Sequence, residues 1–184
     1  MRRRPRYRTL AAAVLATACT VPLVAHGADG IISTFAGTVP GFAGDGGPAT
    51  DALLDAPQGM GLTSAGEVLI ADTANNRVRR VAANGVITTV VAQAGGAGFG
   101  GDGGPATDAT LNRPADVLTA PGGGFWIADS ANNRIRRVLP DGTITTAAGD
   151  GTAGLSGDGG PATSARLDDP RELSLLSDGS VLIA

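Results

Sequence analysis

Short apolar runs of four to eight residues, separated by clusters of glycine, proline, asparagine and aspartate, recur along the chain. Runs of this kind predict β-strands joined by tight turns. In the middle of the sequence four of them follow closely on one another, at Asn112–Thr119, Phe125–Ala128, Arg134–Leu139 and Thr143–Ala148. The Asp129–Asn133 segment between the second and third runs predicts a turn, because Asx side chains cap turns and tolerate left-handed backbone.

An earlier stretch has the same pattern and predicts four more strands, at Pro57–Thr63, Glu67–Ala71, Arg77–Ala82 and Val86–Ala92. The two sets share a segment that reads ADTANNRVRRV from Ala71 and ADSANNRIRRV from Ala128. Within RVRRV the alternation of apolar and polar residues slips between Arg79 and Arg80. That slip predicts either a β-bulge or an arginine placed between neighbouring sheets.

The heptapeptide GDGGPAT occurs three times without a change, at Gly44–Thr50, Gly101–Thr107 and Gly157–Thr163. The copies begin 57 and 56 residues apart. A period of this size with four short strands per unit is typical of a β-propeller. The predicted fold is therefore all-β, a propeller of four-stranded antiparallel blades. It forms an incomplete arc of one lone strand (Gly30–Thr34), two full blades and part of a third, with repeats at about residues 38–92, 93–149 and 150–184.

The third repeat reaches Ala184 at the position that Ala71 and Ala128 occupy in a second strand. We therefore expect a longer propeller, of which these residues are a fragment, and we expect the lone strand to complete its last blade. An array without a capping repeat leaves apolar faces uncovered. Expressed by itself, this stretch is expected to be poorly soluble, partly disordered or self-associated.

The segment after each heptapeptide predicts one helical turn, at Pro48–Leu54 in the first copy, with Thr50 as its cap. Leucines recur at the repeat spacing, at Leu54, Leu111 and Leu167. Their side chains are expected to pack against the blade and so hold in place the linker, the segment that leads from each heptapeptide to the first strand. Asp45 lies between glycines, as do its two counterparts. We interpret it as a cap on backbone N–H groups. The alternative is a calcium or ligand contact, although one carboxylate falls short of the oxygens that calcium takes.

The first 27 residues predict a secretory signal peptide, with five arginines, an apolar run from Leu10 to Val24 and a small-residue site at Ala25 and Gly27. Cleavage is expected after Gly27. The apolar run is too short and interrupted for a membrane-spanning helix. A lipid anchor on Cys19 is a less favoured alternative, and twin-arginine export is only weakly indicated because Pro5 fits that motif badly.

Composition excludes several classes of enzyme. The chain has no lysine, and its one cysteine, one histidine and one tyrosine all lie in the leader. Residues 28–184 therefore hold no disulfide, no Ser-His-Asp or Cys-His arrangement and no cysteine- or histidine-ligated zinc. Removing the leader leaves nine arginines against 17 acidic residues, a net charge of −8. Such a secreted, acidic chain is not expected to bind nucleic acid or anionic membranes.

The GDGGPAT copies, the two ADxANNRxRRV segments and GTITT at Gly142–Thr146 resemble NHL-repeat β-propellers of the bacterial extracellular type, similar to the NHL region of teneurins. The resemblance covers Gly30–Ala184. It implies a propeller, commonly six-bladed, whose loops bind partners. It also implies distant relatives with lyase or lactonase activity, whose metal sites use acidic, asparagine and sometimes histidine side chains near the central channel.

No such constellation is evident beyond the repeat itself. Asp72 and Asp129 each close a second strand, and a repeated structural turn accounts for both. Glu67 and Glu172 are the only glutamates and nothing in the sequence pairs them, so we predict no catalytic carboxylate pair.

Because strands alternate in direction, the linkers and the turns between second and third strands should emerge on one face. The leading hypothesis is a secreted or cell-surface scaffold that binds protein, peptide or glycan there. The alternatives are a metal-dependent lyase- or lactonase-like enzyme, or a domain that positions the rest of a larger extracellular protein. The candidate surface comprises Asp45, Asn75, Asn76, Asp102, Asn132, Asn133, Asp158, Phe42 and Phe99. No catalytic or metal-ligating residue is predicted, and positions where the copies differ, such as Phe42, Phe99 and Leu155, are favoured.

Overall fold

The computed structural model describes residues 23–26 and 32–184. Over these residues the chain forms antiparallel sheets joined by loops and short 3-10 turns. A two-stranded sheet pairs β1 (Leu23–His26) with β2 (Ile32–Ala36). The first four-stranded sheet contains β3 (Met60–Leu62), β4 (Val68–Asp72), β5 (Arg77–Val81) and β6 (Ile87–Val91). The second contains β7 (Pro114–Thr119), β8 (Phe125–Asp129), β9 (Arg134–Val138) and β10 (Ile144–Ala148). A last pair joins β11 (Leu173–Leu175) to β12 (Val181–Ile183).

Each four-stranded sheet has its strands side by side in chain order, which is the arrangement of a propeller blade. The predicted all-β arc of blades is confirmed. The first strand of the first blade is shorter than predicted, because regular pairing covers only Met60–Leu62. Two isolated backbone hydrogen bonds extend the pairing towards the N-terminus. The N–H of Gln58 donates to Ala71 O at 3.2 Å, and the N–H of Ala71 donates to Gly59 O at 2.9 Å.

The core lies between successive sheets. Val78 and Val91 from the first blade pack with Val117, Ile127 and Ile144 from the second, all of them buried. A second cluster joins β2 and its linker to the first blade, and a third joins the second blade to Leu173 of β11. The first strands also meet in series, since β3 contacts β7 and β7 contacts β11. The blades therefore stack face to face, with their first strands on the inner side of the arc.

The β-bulge predicted between Arg79 and Arg80 is not found there, because both residues pair in regular register with β4 and β6. Each blade instead has a register shift one position earlier, between its third and fourth strands. The pairing of β5 with β6 shifts register between Val78 and Arg79, and that of β9 with β10 shifts between Thr146 and Ala148. The bulge is next to Arg79, which is fully buried. Its side chain reaches the linker that precedes its own blade, rather than a neighbouring sheet.

Two details of the predicted elements turn out differently. The strand expected to stand alone is β2, and it pairs with β1. Residues 30 and 31 of the predicted strand lie outside the described residues, as does the rest of the leader apart from β1. Thr50 does not cap the turn after the heptapeptide. That turn is a 3-10 helix at Ala49–Asp51 whose N-cap is Pro48, a residue with no side-chain donor or acceptor.

The leucine prediction is confirmed. Leu54 and Leu111 are buried in the clusters that join linker and blade, and Leu167 packs against the third cluster. Within the described part of the chain, no helix is long and apolar enough to cross a membrane.

Candidate functional site

The linker before each blade and the turn between its second and third strands meet at one end of the blade, as predicted. Asn75 Nδ2 donates to the carbonyl oxygen of Gly41 at 2.7 Å, and the backbone N–H of Asp55 donates to the Asp72 carboxylate at 2.8 Å. The second blade repeats both bonds, each at 2.8 Å, between Asn132 and Gly98 and between Asn112 and Asp129. We call the surface formed by these linkers and turns the loop face.

The first two GDGGPAT segments run from the loop face along the outer strand of their blades. The N–H of Gly46 donates to Ile87 O at 2.8 Å, and the N–H of Ile87 donates to Gly47 O at 3.0 Å. The corresponding bonds in the second blade join Gly103 and Gly104 to Ile144, at 2.8 and 3.0 Å. The glycines and proline of the heptapeptide are therefore tied to the backbone of the fourth strand.

The first glycine of the heptapeptide is required by both backbone and space. Gly44 has φ of +89°, a left-handed conformation that favours glycine. A Cβ built there would lie 2.8 Å from the Cα of Ala52. Gly101 and Gly157 have the same close approach to Ala109 and Ala165, at 2.6 and 2.7 Å.

A buried guanidinium forms the centre of the linker contacts in the first blade. Arg79 Nη2 and Nε donate to Asp45 Oδ1 at 2.8 and 3.0 Å. The same side chain donates to the carbonyl oxygens of Leu53 and Ala43 at 3.1 and 3.2 Å. The prediction that Asp45 caps backbone N–H groups is therefore wrong, because it accepts from an arginine that sequence reasoning did not assign to it.

The second blade has the same arrangement with one change. Arg136 Nη2 donates to Asp102 Oδ1 at 2.6 Å and to the carbonyl oxygen of Gly100 at 3.0 Å. The other carboxylate oxygen of Asp102 accepts from the backbone N–H and the hydroxyl of Thr146, at 3.1 and 2.6 Å. In the first blade the matching hydroxyl, on Thr89, is buried and has no hydrogen-bond partner among the described residues.

The aspartate at the end of each second strand lies on the other side of the buried arginine. Asp72 Oδ2 is 3.5 Å from Arg79 Nη1, and both side chains are fully buried. Burial raises the pKa of Asp72 to about 6, although the bonds from Asp55 N–H, Asn75 and Arg79 oppose that rise. Burial likewise raises the pKa of Asp129. These aspartates hold the turn and the linker together, which confirms a structural role for them.

The second asparagine of each turn links one repeat to the next. Asn76 has φ of +54°, as expected of a residue that tolerates left-handed backbone, and its Oδ1 accepts from the N–H of Arg113 at 2.9 Å. Asn133 has φ of +52° and accepts from the N–H of Asp169 at 3.0 Å. Both asparagines are half-buried.

The aromatic residues predicted for the surface lie on the loop face under arginines. The Arg77 guanidinium carbon is 3.4 Å from the ring centroid of Phe42, and that of Arg134 is 3.9 Å from the ring of Phe99. The rings nevertheless remain 42% and 45% exposed. Leu155 takes the same place in the third repeat and is 93% exposed. Asp158 is also exposed.

A separate pair of acidic groups lies on the inner strands. Asp116 of β7 accepts from the N–H groups of Val117 and Leu173 at 2.8 and 2.9 Å, so it joins its blade to β11. Burial raises its pKa, and the nearby charge of Glu172 raises it further. The two residues occupy the same position in successive repeats, a signal that the sequence contained. Across the described residues, no group of three or more histidine, cysteine or acidic side chains could hold a metal ion.

Comparison with known proteins shows that the fold of this chain is similar to known folds. No family model matches the chain. Teneurin-1 of Mus musculus is 28% identical over 102 residues, which cover 49% of this chain and 4% of Teneurin-1. A Bacteroides thetaiotaomicron protein of unknown function has a similar structure, with 17% identity and a TM-score of 0.70 over 89% of this chain and 39% of that protein.

Two further structures are an auxiliary nutrient binding protein from Bacteroides ovatus and a gluconolactonase from Xanthomonas campestris. They are 15% and 16% identical, with TM-scores of 0.65 and 0.56 over 89% of this chain. The chain spans 40% and 46% of their lengths. Together these likenesses support the resemblance to NHL-repeat β-propellers and the arc of four-stranded blades.

Proposed function

We propose that this chain is a secreted or cell-surface propeller that serves as a binding scaffold for a protein, peptide or glycan, and that the loop face carries its ligand. The observation that supports this is the row of exposed side chains held in place before any ligand arrives. Phe42 and Phe99 are stacked under arginines and still exposed, and Leu155 follows at the next repeat. Aromatic residues and arginine dominate binding hot spots, and a ring already fixed loses little entropy on binding.

The polar residues of the loop face complete the proposed surface. Asp45 and Asp102 are bound by buried arginines, yet their side chains remain 31% and 37% exposed. They would present fixed negative charge beside the rings, and the exposed Asp158 adds a carboxylate in the third repeat. An apolar row flanked by fixed charge favours an extended protein or peptide ligand over a glycan. The acidic balance does not favour nucleic acid, and the leader favours an extracellular or periplasmic location.

Peptide and glycan arrays probed with the purified chain and a Phe42→Ser/Phe99→Ser variant test this proposal. We expect a selective set of peptides to bind the wild-type chain and to be lost in the double variant. Leu62→Ser is the matched control, because Leu62 is 58% exposed at the opposite end of the first blade. The proposal is wrong if nothing binds selectively, or if the bound probes survive the double substitution but not the control.

A second candidate function is a metal-dependent lyase- or lactonase-like activity. It is favoured by the Asp116 and Glu172 carboxylates on the inner strands, and by the fold shared with a gluconolactonase. Two protein carboxylates would need further oxygen ligands to hold a divalent ion. Titration with Ca²⁺ and Mg²⁺, monitored by thermal melting, tests it. Stabilisation that disappears in an Asp116→Asn variant would support this candidate, and the absence of any shift would remove it.

A third candidate is a positioning role within a longer extracellular protein. The matched part of Teneurin-1 is 4% of that protein, so a propeller of this type can be a small part of a large chain. In that case the loop face would contact neighbouring domains of the same chain.

A further inference from the structure

A cleft of about 680 Å³ opens between the two four-stranded blades at the end opposite the loop face. Leu69, Arg80 and Val90 line it from the first blade, and Phe125 and Val138 line it from the second. The β3–β4, β7–β8 and β9–β10 turns surround its mouth, and the end of the second GDGGPAT segment, residues 103–107, which runs away from the loop face along β10, also lines it. This volume lies within the range of about 300 to 1,000 Å³ that small-molecule pockets occupy. We propose that this cleft binds a small neutral saccharide, a mono- or disaccharide, independently of the ligand of the loop face.

The charged group in the cleft is incompletely paired. Arg80 is the one cation among the lining residues, and its side chain is 42% exposed. Its ion-pair partner is Glu67, with 3.9 Å between Arg80 Nη1 and Glu67 Oε1, which is beyond hydrogen-bonding distance. Arg80 Nε is itself buried and has no hydrogen-bond partner among the described residues, so it does not face the cleft. Because the 3.9 Å contact with Glu67 is too long for a hydrogen bond, the exposed Nη end of the guanidinium keeps donors for a ligand oxygen, and Glu67 keeps an acceptor beside it.

The cleft is formed where the two repeats differ. In the second blade the arginine at the matching position, Arg137, lies over the ring of Trp126, 5.2 Å from its centroid. The first blade has Leu69 where the second has Trp126, so Arg80 has no ring beneath it. Glu67 likewise takes the place of Gly124. Scaffold requirements explain positions that the repeats share, but they do not explain an arginine and a glutamate that face an open cleft in one repeat alone.

The chemistry of the walls favours a neutral ligand that both donates and accepts hydrogen bonds. An anion would be attracted by Arg80 but would also face Glu67 and Asp141, a second acidic residue at the mouth. A cation would face Arg80. A sugar hydroxyl can accept from Arg80 and donate to Glu67 at once, and adjacent hydroxyls can do both side by side. Leu69, Val90 and Phe125 would pack against the C–H faces of the ring.

Calorimetric titration of the whole chain with glucose, galactose, maltose and cellobiose tests the proposal, with glucuronate and glucosamine as charged probes. We expect at least one neutral saccharide to bind with a Kd below about 1 mM. Arg80→Gln and Glu67→Gln should each weaken that binding by about tenfold or more. Leu69→Trp, which brings the residue of the second repeat into the cleft, should abolish it. Arg137→Gln is the matched control and should leave it unchanged.

Circular dichroism establishes whether Leu69→Trp folds, and the two glutamine variants decide the question if it does not. Failure of every neutral saccharide to bind overturns the proposal. So does tighter binding of glucuronate or glucosamine than of glucose, or equal weakening by Arg137→Gln and Arg80→Gln. The Phe42→Ser/Phe99→Ser variant should bind the saccharide normally, because the cleft and the loop face lie at opposite ends of the blades. Failure of the loop-face proposal is thereby distinguishable from failure of this one.

Discussion

Arg79 Nη1 and Asp72 Oδ2 lie 3.5 Å apart with both side chains fully buried, and the exposed Asp45 closes the other side of the guanidinium at 2.8 Å. One arginine of the third strand thus holds together the linker and the turn of its own blade. Removing one partner of a buried ion pair leaves the other charge unpaired, which typically costs about 3–5 kcal/mol.

We therefore expect Arg79→Met to lower the free energy of unfolding by roughly that amount, about 3–5 kcal/mol. Urea unfolding monitored by circular dichroism measures it. Arg80→Met is the matched control, because Arg80 is adjacent and partly exposed, and surface substitutions usually stay within about 0.5 kcal/mol. Equal destabilisation by the two substitutions would contradict the role of Arg79.

The raised pKa of Asp72 predicts a particular pH dependence. The folded protein binds the Asp72 proton more tightly than the unfolded chain does, because the folded pKa of about 6 exceeds the ordinary aspartate pKa of 3.8. Its contribution to stability is therefore fully present below about pH 4 and is lost as the pH rises through about 6. Asp129 acts in the same direction.

We expect the free energy of unfolding to fall between about pH 5 and pH 7. The fall should be smaller in Asp72→Asn, which cannot ionise at that position. This pH range lies above the titration of the exposed aspartates whose pKa values are lowered by hydrogen bonds from nearby backbone N–H groups. These are Asp141, Asp150 and Asp178. Their effect on the free energy of unfolding has the opposite sign and occurs at lower pH. Stability that rises with pH over this range, or an unchanged slope in the variant, would refute the prediction.

Substitution by alanine should lower stability by different amounts at Gly44 and Gly46, two glycines of the first heptapeptide. Gly46 has φ of +83° but open space around a Cβ, so Gly46→Ala pays only for left-handed backbone, about 1–2 kcal/mol. Gly44→Ala adds a contact of 2.8 Å with the Cα of Ala52, which cannot move aside as a side-chain end can. Thermal melting should therefore show a clearly larger loss for Gly44→Ala. Equal losses would mean that backbone conformation alone selects these glycines.

The threonines of the two outer strands offer a matched pair. Thr89 has a buried hydroxyl without a partner among the described residues, whereas that of Thr146 donates to Asp102 at 2.6 Å. We expect Thr89→Val to be neutral or slightly stabilising and Thr146→Val to cost about 1 kcal/mol or more. Chemical denaturation of the two variants decides between them. The reverse order would mean that the hydroxyl of Thr89 is bonded in solution.

The export prediction concerns the leader. The cluster of arginines, the short apolar run and the small residues at Ala25 and Gly27 predict cleavage after Gly27. The intact mass of the exported protein should correspond to a chain that begins at Ala28. A mature protein that still carries Arg2 would rule the signal peptide out. Cleavage there would also remove β1, so that β2 would lose the strand with which it pairs.

The strands of both blades could be predicted from sequence because alternation and β-branched residues mark half-buried strands. The role of Arg79 could not, since an arginine in a strand is usually an exposed residue and its partners Asp45 and Asp72 are distant along the chain. The Asp72 turn was predictable, because asparagine and aspartate favour it wherever they cluster. Pairing of β1 with β2 was missed, because the apolar residues of β1 also fit the end of a signal peptide.

The cleft between the blades was not predictable either. It depends on the first blade having Leu69 where the second has the larger Trp126, and on the distance between Arg80 and Glu67. Both depend on how side chains pack in three dimensions, which the pattern of apolar and polar residues does not give. The sequence did indicate that binding is to be sought at positions that differ between repeats, and this stays a prediction.

The path of the GDGGPAT segments along β6 and β10 has a consequence for how these molecules behave at high concentration. The outermost strand of a sheet normally offers unpaired N–H and C=O groups to any extended peptide, and so invites strand addition and aggregation. Here the N–H and C=O of Ile87, and those of Ile144, are already occupied by glycines of the linker, and the Asp102 carboxylate takes the next free N–H of β10. The glycine-rich linker thus takes the hydrogen-bonding groups of the outermost strand of each four-stranded blade. It blocks strand addition from other chains at that edge and leaves the loop face accessible.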